Sequence, residues 1–159
     1  MIFDLQPFIP ILSDETRREI VEALKIKLES IQDPVRKSRA IIGILKVEKV
    51  FGILSKNPLK ATSEMHREYL RILEHDSKPE KGERKIADDL VILINEVLEP
   101  LFKSEIDNLT LYRIGLMEYA LERSPYNFDI QLQLVKLYDQ LGLSPSFQQG
   151  ITNLNLKGV

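Results

Sequence analysis

Cysteine is absent from the 159-residue chain, which excludes disulfide staples, thiolate metal sites and a cysteine nucleophile. That composition suits a reducing compartment, and a cytoplasmic location is expected. No stretch approaches the ~20 uninterrupted apolar residues of a membrane span. The opening Met1 to Pro7 has neither a basic start nor a sustained apolar run, so it does not read as a signal peptide. Charge of one sign is also lacking: 22 basic against 24 acidic side chains leave a net charge of -2. A nucleic-acid or membrane partner would therefore need a local patch. Glycine-rich phosphate loops are missing too, because Gly43, Gly52, Gly115 and Gly142 stand isolated.

What remains is helical. Hydrophobic residues make up 43% of the chain and charged ones 29%, the balance of a globular protein with one core or one continuous repeat stack. Apolar residues recur at helical spacing, and the breaks between them carry helix-start signals in place of strand and turn signals. Ser13, Asp14 and Glu15 cap a first helix to about Ile31, with Ile20, Leu24, Leu28 and Ile31 turned inward. Asp33-Pro34 opens a second helix ending near Ser55. Asn57-Pro58 opens a third, with Met65, Tyr69, Ile72 and Leu73 on one face.

The segment EHDSKPEKGER, about residues 74–84, reads as a mobile loop where proteolysis should begin. Beyond it, Ile86, Leu90, Leu93, Val97 and Leu101 form the cleanest apolar stripe, flanked by Ile94 and Leu98. Asp107 or Asn108 caps a fifth helix to Arg123, Asn127 a sixth to about Leu141, and Ser144-Pro145 opens a seventh. The expected fold is all-α: about seven helices in antiparallel pairs, stacked as a degenerate right-handed solenoid over a single segment, residues 1–159. Each pair exposes an apolar face that only a neighbouring pair covers, which is why helical repeats stack.

The late part of the chain resembles the tetratricopeptide repeat, a helix-turn-helix unit of about 34 residues. Ala120 and Pro125 have the spacing of its late alanine and terminal proline. The same frame drops Leu134, Tyr138 and Gly142 onto the next unit's leucine, tyrosine and inter-helix glycine, while Phe147 falls where a small residue is usual. The alternative is that these are core and turn residues of an irregular bundle.

Candidate chemistry is sparse. His66 and His75 lack the i, i+4 spacing of two ligands on one helical turn, so no metal site is expected. Glu15, Glu19 and Glu22, or Asp88 and Asp89, could form an acid-base pair, but carboxylates at such spacings usually face solvent. Ser124 is explained by the turn before Pro125. Tyr112, Tyr119, Phe128 and Tyr138 fall on expected packed faces, with peptide recognition as the other reading. One charge asymmetry stands out: Arg36, Lys37, Arg39, Lys46, Lys49, Lys56 and Lys60 are opposed only by Glu48 between Pro34 and Lys60. This excess is a candidate polyanion site, set against the reading of a solvated helix surface. Gly43 and Gly52 each cost a helix about 1 kcal/mol relative to alanine. Close approach of a partner helix would compensate.

Two stretches carry a closer resemblance: LMEYALERSPYNFDIQLQLVKLYDQLGLSPSF, from Leu116 to Phe147, and FDLQPFIPIL near the start. Both are similar to the large auxiliary subunit of the NatB-type N-terminal acetyltransferase. The resemblance implies a non-catalytic tetratricopeptide-like superhelix that wraps a separate catalytic subunit and links the complex to ribosomes. It implies no cofactor on this chain. Family members are several times longer, and Leu154, Leu156 and Val159 are apolar near a repeat boundary, so a piece of a larger protein is expected. A general adaptor that binds a peptide or RNA is the competing expectation.

Overall fold

The computed structural model describes residues 9–75, 85–102 and 107–143. They form six α-helices in antiparallel pairs, with no strand among the described residues. The expected seventh helix from Ser144 lies outside them, as does most of the 74–84 connection. The chain divides into two compact units, Met1–Glu64 and Met65–Val159, with the division falling inside the third helix.

In the first unit, α1 spans Asp14–Glu29 and α2 spans Pro34–Val50. Ser13 caps α1 by accepting from the Thr16 N–H at 3.1 Å, and Asp33 caps α2 by accepting from the Arg36 N–H at 2.6 Å. α1 stops at Glu29, two residues short of expectation, because the Ser30 and Ile31 N–H groups bond the Lys27 and Leu28 carbonyls only three residues back, and Pro34 then holds Asp33 extended. Lys25 pairs with Glu48 and Asp14 with Lys56, a reversed order that fixes the two helices as antiparallel. Between them Val21, Ile44 and Phe51 form a small core, joined by half-buried Ile20, Leu24, Leu28 and Val47.

α2 ends at Val50, five residues before the expected Ser55. Gly52 takes a left-handed φ of 73°, its N–H bonds the Lys49 carbonyl, and the Ile53 N–H bonds the Glu48 carbonyl. That is a Schellman stop. Gly52 therefore lies outside the helix, which corrects its reading as a costly helix-interior glycine. A side chain placed at Gly43 would meet nothing within 4 Å, so no helix packs close there.

α3 spans Pro58–His75, taking residues 74 and 75 into the helix and not into the expected loop. Within the second unit its Met65, Tyr69 and Ile72 are buried, as the spacing predicts. α4, Asp88–Leu98, is buried on nearly every side and ends in a tight turn at Glu99–Leu101, where Pro100 prevents continuation. α5, Asn108–Arg123, is capped by Asp107, and α6, Phe128–Gln140, by Asn127. Asp88 and Asn95 of α4 bond Asn127 and Gln133 in the same order, so α4 and α6 run parallel. His66 and Tyr69 meet Tyr112 and Tyr119 likewise, so α3 and α5 are parallel as well.

Candidate functional site

The basic residues of α2 do not form one uniform face. Arg36 and Arg39 are exposed one turn apart, Lys37 is half-buried beside them, and the first turn holds no acid. Lys46 and Lys49 lie two turns further on and are half-buried. Lys56 is drawn to Asp14 at 2.8 Å, and that bond, with the Lys56 charge, lowers the Asp14 carboxyl below its ordinary range. Lys60 lies 3.9 Å from Glu64. Glu48, the sole acid of the basic stretch, is buried and faces Lys25 of α1 at 2.9 Å.

The repeat positions cluster at the α5–α6 hairpin. Ala120 is fully buried and Leu134 and Tyr138 are buried on α6, where the two helices pack together. Pro125 is exposed in the turn, and its carbonyl accepts from Gln131 Nε2 at 2.6 Å. Gly142, at φ 67°, closes α6 with a second Schellman stop, since the Leu143 N–H bonds the Tyr138 carbonyl.

Asp88 overturns the expectation that these carboxylates face solvent, for its side chain is fully buried. One carboxylate oxygen accepts from Asn127 Nδ2 at 2.8 Å and from the Lys85 N–H at 3.2 Å. Glu15, Glu19 and Glu22 are exposed, and Asp89 is half-buried. His66 bonds the Tyr112 hydroxyl through Nδ1 at 2.8 Å. Among the described residues no group of three or more His, Asp or Glu side chains is arranged to hold a metal ion.

A second buried chain crosses three helices. Arg113 Nε of α5 donates to Asn95 Oδ1 of α4 at 2.7 Å, and Asn95 Nδ2 donates to Gln133 Oε1 of α6 at 2.8 Å. Burial pulls the Arg113 guanidinium below the ordinary arginine range. Tyr138 donates to Glu118 Oε1 at 2.5 Å, and burial followed by that carboxylate raises its phenol above the ordinary value. Burial alone pushes Tyr112 up to about 12. Sequence reasoning missed these polar links. Asn127 was legible as a cap, but its second partner lies 39 residues away.

The expectation that all four aromatics pack inward is corrected in part. Tyr138 is buried and Tyr112 half-buried, but Tyr119 and Phe128 are exposed. The Tyr119 ring carries the Arg123 guanidinium 3.5 Å above its centre and meets Tyr69 edge-on. Leu70, Leu111 and Tyr126 add to the exposed apolar surface of the second unit.

A family model described as the N-acetyltransferase B complex (NatB) non catalytic subunit matches residues 1–159. The chain belongs to this NatB family. Comparisons with curated proteins and with solved structures gave no match. A non-catalytic NatB subunit has no need of converging reactive groups, and buried Asp88, Asn95, Arg113 and Asn127 are engaged in joining helices. Asp88, the most deeply buried carboxylate described, accepts from a helix cap and a backbone N–H. No described helix is long and apolar enough to cross a membrane.

Proposed function

We propose that this helical segment is a scaffold within NatB: it binds the catalytic subunit and supports N-terminal acetylation of nascent chains beside the ribosome, in the cytoplasm. The family match over residues 1–159 carries the reading. The architecture supports it, because α4 is enclosed by its neighbours while the second unit leaves Leu70, Leu111, Tyr119, Tyr126 and Phe128 exposed on its surface. Large exposed apolar and aromatic side chains are the usual anchors of a protein interface. On this reading the helix pairs are tetratricopeptide-like repeats stacked as a right-handed solenoid, with Ala120, Pro125, Leu134, Tyr138 and Gly142 as repeat positions.

The test is co-purification of the full-length parent chain with the NatB catalytic subunit. Consistent failure to recover the pair under conditions that preserve both chains would sink the proposal. Acetyl-coenzyme A turnover by the purified chain alone would overturn its non-catalytic part.

A second reading is a helical adaptor that binds RNA through Arg36, Lys37 and Arg39, extended by Lys46 and Lys49. The exposure of Arg36 and Arg39 beside a helix start without acids favours it. Phosphate contacts release counterions, so affinity for a single-stranded RNA would fall steeply with salt, and Arg36→Glu with Arg39→Glu would weaken binding and flatten that slope. An affinity indifferent to both salt and charge reversal ends this reading.

A further inference from the structure

Where α4 and α6 pack together, the side chains they bury are largely interchangeable in shape. Leu90, Val91, Leu93, Ile94, Val97 and Leu98 are buried on α4, and Ile130, Leu134, Val135 and Leu137 on α6. Burial of such groups is non-directional, and branched aliphatics of similar volume substitute for one another with little penalty. A slip of α6 by one turn along α4 would re-pair Leu, Ile and Val with Leu, Ile and Val. The apolar contacts alone therefore discriminate weakly between registers.

Two polar contacts interrupt this surface, a buried one where both helices start and a part-buried one midway along α6. Asp88 at the start of α4 accepts from Asn127 at the start of α6, and Asn95, about two turns along α4, donates to Gln133, about two turns along α6. The second contact extends to α5 through Arg113 Nε on Asn95 Oδ1. Asp88, Asn95, Asn127 and Arg113 are all buried. A one-turn slip would break both contacts at once and leave these groups facing Leu and Val, an arrangement that buried polar groups disfavour strongly.

We infer that these two polar contacts act as a register lock: they select one alignment of α6 on α4, while the apolar side chains around them supply the adhesion. In a repeat stack each pair is the platform for the next, so an error at one interface passes to all that follow. A register lock is thus what a NatB scaffold would need in order to hold a partner at fixed geometry. The inference itself rests on the contacts within this unit and stands apart from that functional reading.

The absence of native cysteine makes the test direct. Glu99→Cys and Lys136→Cys place spin labels at two exposed positions, one just beyond α4 and one on α6. Their separation is read by double electron–electron resonance on the full chain, with and without the combined change Asp88→Leu, Asn127→Ser, Arg113→Met, Asn95→Leu, Gln133→Leu, which removes both contacts and keeps a capping oxygen at position 127. A single narrow distance is expected in the parent. In the combined variant, helix content and thermal midpoint are expected to be kept or raised, while the distribution splits or broadens by about one helical pitch of 5.4 Å. A folded combined variant with the parent's single narrow distance overturns the inference. A combined variant that unfolds also overturns it, because the polar groups would then supply stability and not register. Catalytic-subunit binding is not read in this experiment, so its outcome is independent of the proposed NatB role.

Discussion

Asn127 Nδ2 donates to the buried Asp88 carboxylate at 2.8 Å while Asn127 Oδ1 accepts from the Ile130 N–H at 3.3 Å, so one side-chain amide caps α6 and holds α4. The two tasks separate by substitution. Asn127→Ser keeps a capping oxygen and loses the donor to Asp88, and about 1–3 kcal/mol of stability should be lost. Asn127→Asp also keeps the cap but sets a second carboxylate against Asp88, and about 3–5 kcal/mol is expected, as for an uncompensated buried charge. Urea unfolding at neutral pH checks the order. Equal stability of the two variants would contradict the link.

The buried tyrosines should respond unequally to loss of their hydroxyls. Tyr138→Phe removes the donor to Glu118 and should cost about 1–2 kcal/mol. Tyr69 is fully buried, and its hydroxyl has no hydrogen-bond partner among the described residues. Tyr69→Phe keeps the ring packing and should be neutral or stabilising by up to about 1 kcal/mol. Thermal melts of the two variants side by side decide the matter.

Gly43 and Gly52 should respond in opposite directions to alanine. Gly43 sits inside α2 with open space at its Cβ position, so Gly43→Ala should stabilise by about 0.5–1 kcal/mol. Gly52 holds a left-handed φ of 73°, so Gly52→Ala should destabilise by about 1–2 kcal/mol. Chemical denaturation midpoints that move in the same direction would contradict this assignment.

The Lys25–Glu48 pair ties α1 to α2, with Glu48 buried and Lys25 half-exposed. Burial disfavours the Lys25 charge, but hydrogen bonding and attraction from Glu48, helped by Glu22, outweigh it and leave the ammonium above its ordinary 10.5. A raised folded-state value gives stability that is fully present below pH 10.5 and lost as pH rises through that higher value. Glu48→Gln should therefore narrow its deficit against the parent above pH 10.5 and hold it constant from pH 6 to 9. Lys25→Met, which strands Glu48, should cost about 1–2 kcal/mol at pH 7, moderated by solvent screening at the exposed lysine. Urea titrations at several pH values measure both effects.

Short-range chemistry was readable from the residues alone. Ser13, Asp33 and Asn127 were expected as caps, with Asp107 or Asn108 for the fifth helix, and Ser13, Asp33, Asp107 and Asn127 each accept the N–H three residues on, because a cap and its target are close in sequence. Tyr69 and Met65 were placed on the buried face of α3 for the same reason. Helix ends were less legible. Gly52 is compatible with a helix interior until its backbone is seen to turn left-handed.

The candidate site was legible only as composition. Seven basic residues between Pro34 and Lys60 read as one local excess of charge, yet Lys56 is taken up by Asp14, 42 residues away in the chain, and Glu48 is claimed by Lys25 of another helix. Phe128 read as packed because aromatic residues usually are, and it is exposed at the α5–α6 turn.

The sequence by itself determined that this chain is helical, where most helices begin, and to which family it belongs, since periodicity, caps and family resemblance reside in the order of residues along the chain. Only the tertiary structure decided which helix became the enclosed one, which carboxylate went inside and which polar groups met. Those outcomes depend on side chains brought together across tens of residues, and a buried charge such as Asp88 is tolerable only where distant partners such as Asn127 arrive to bond it.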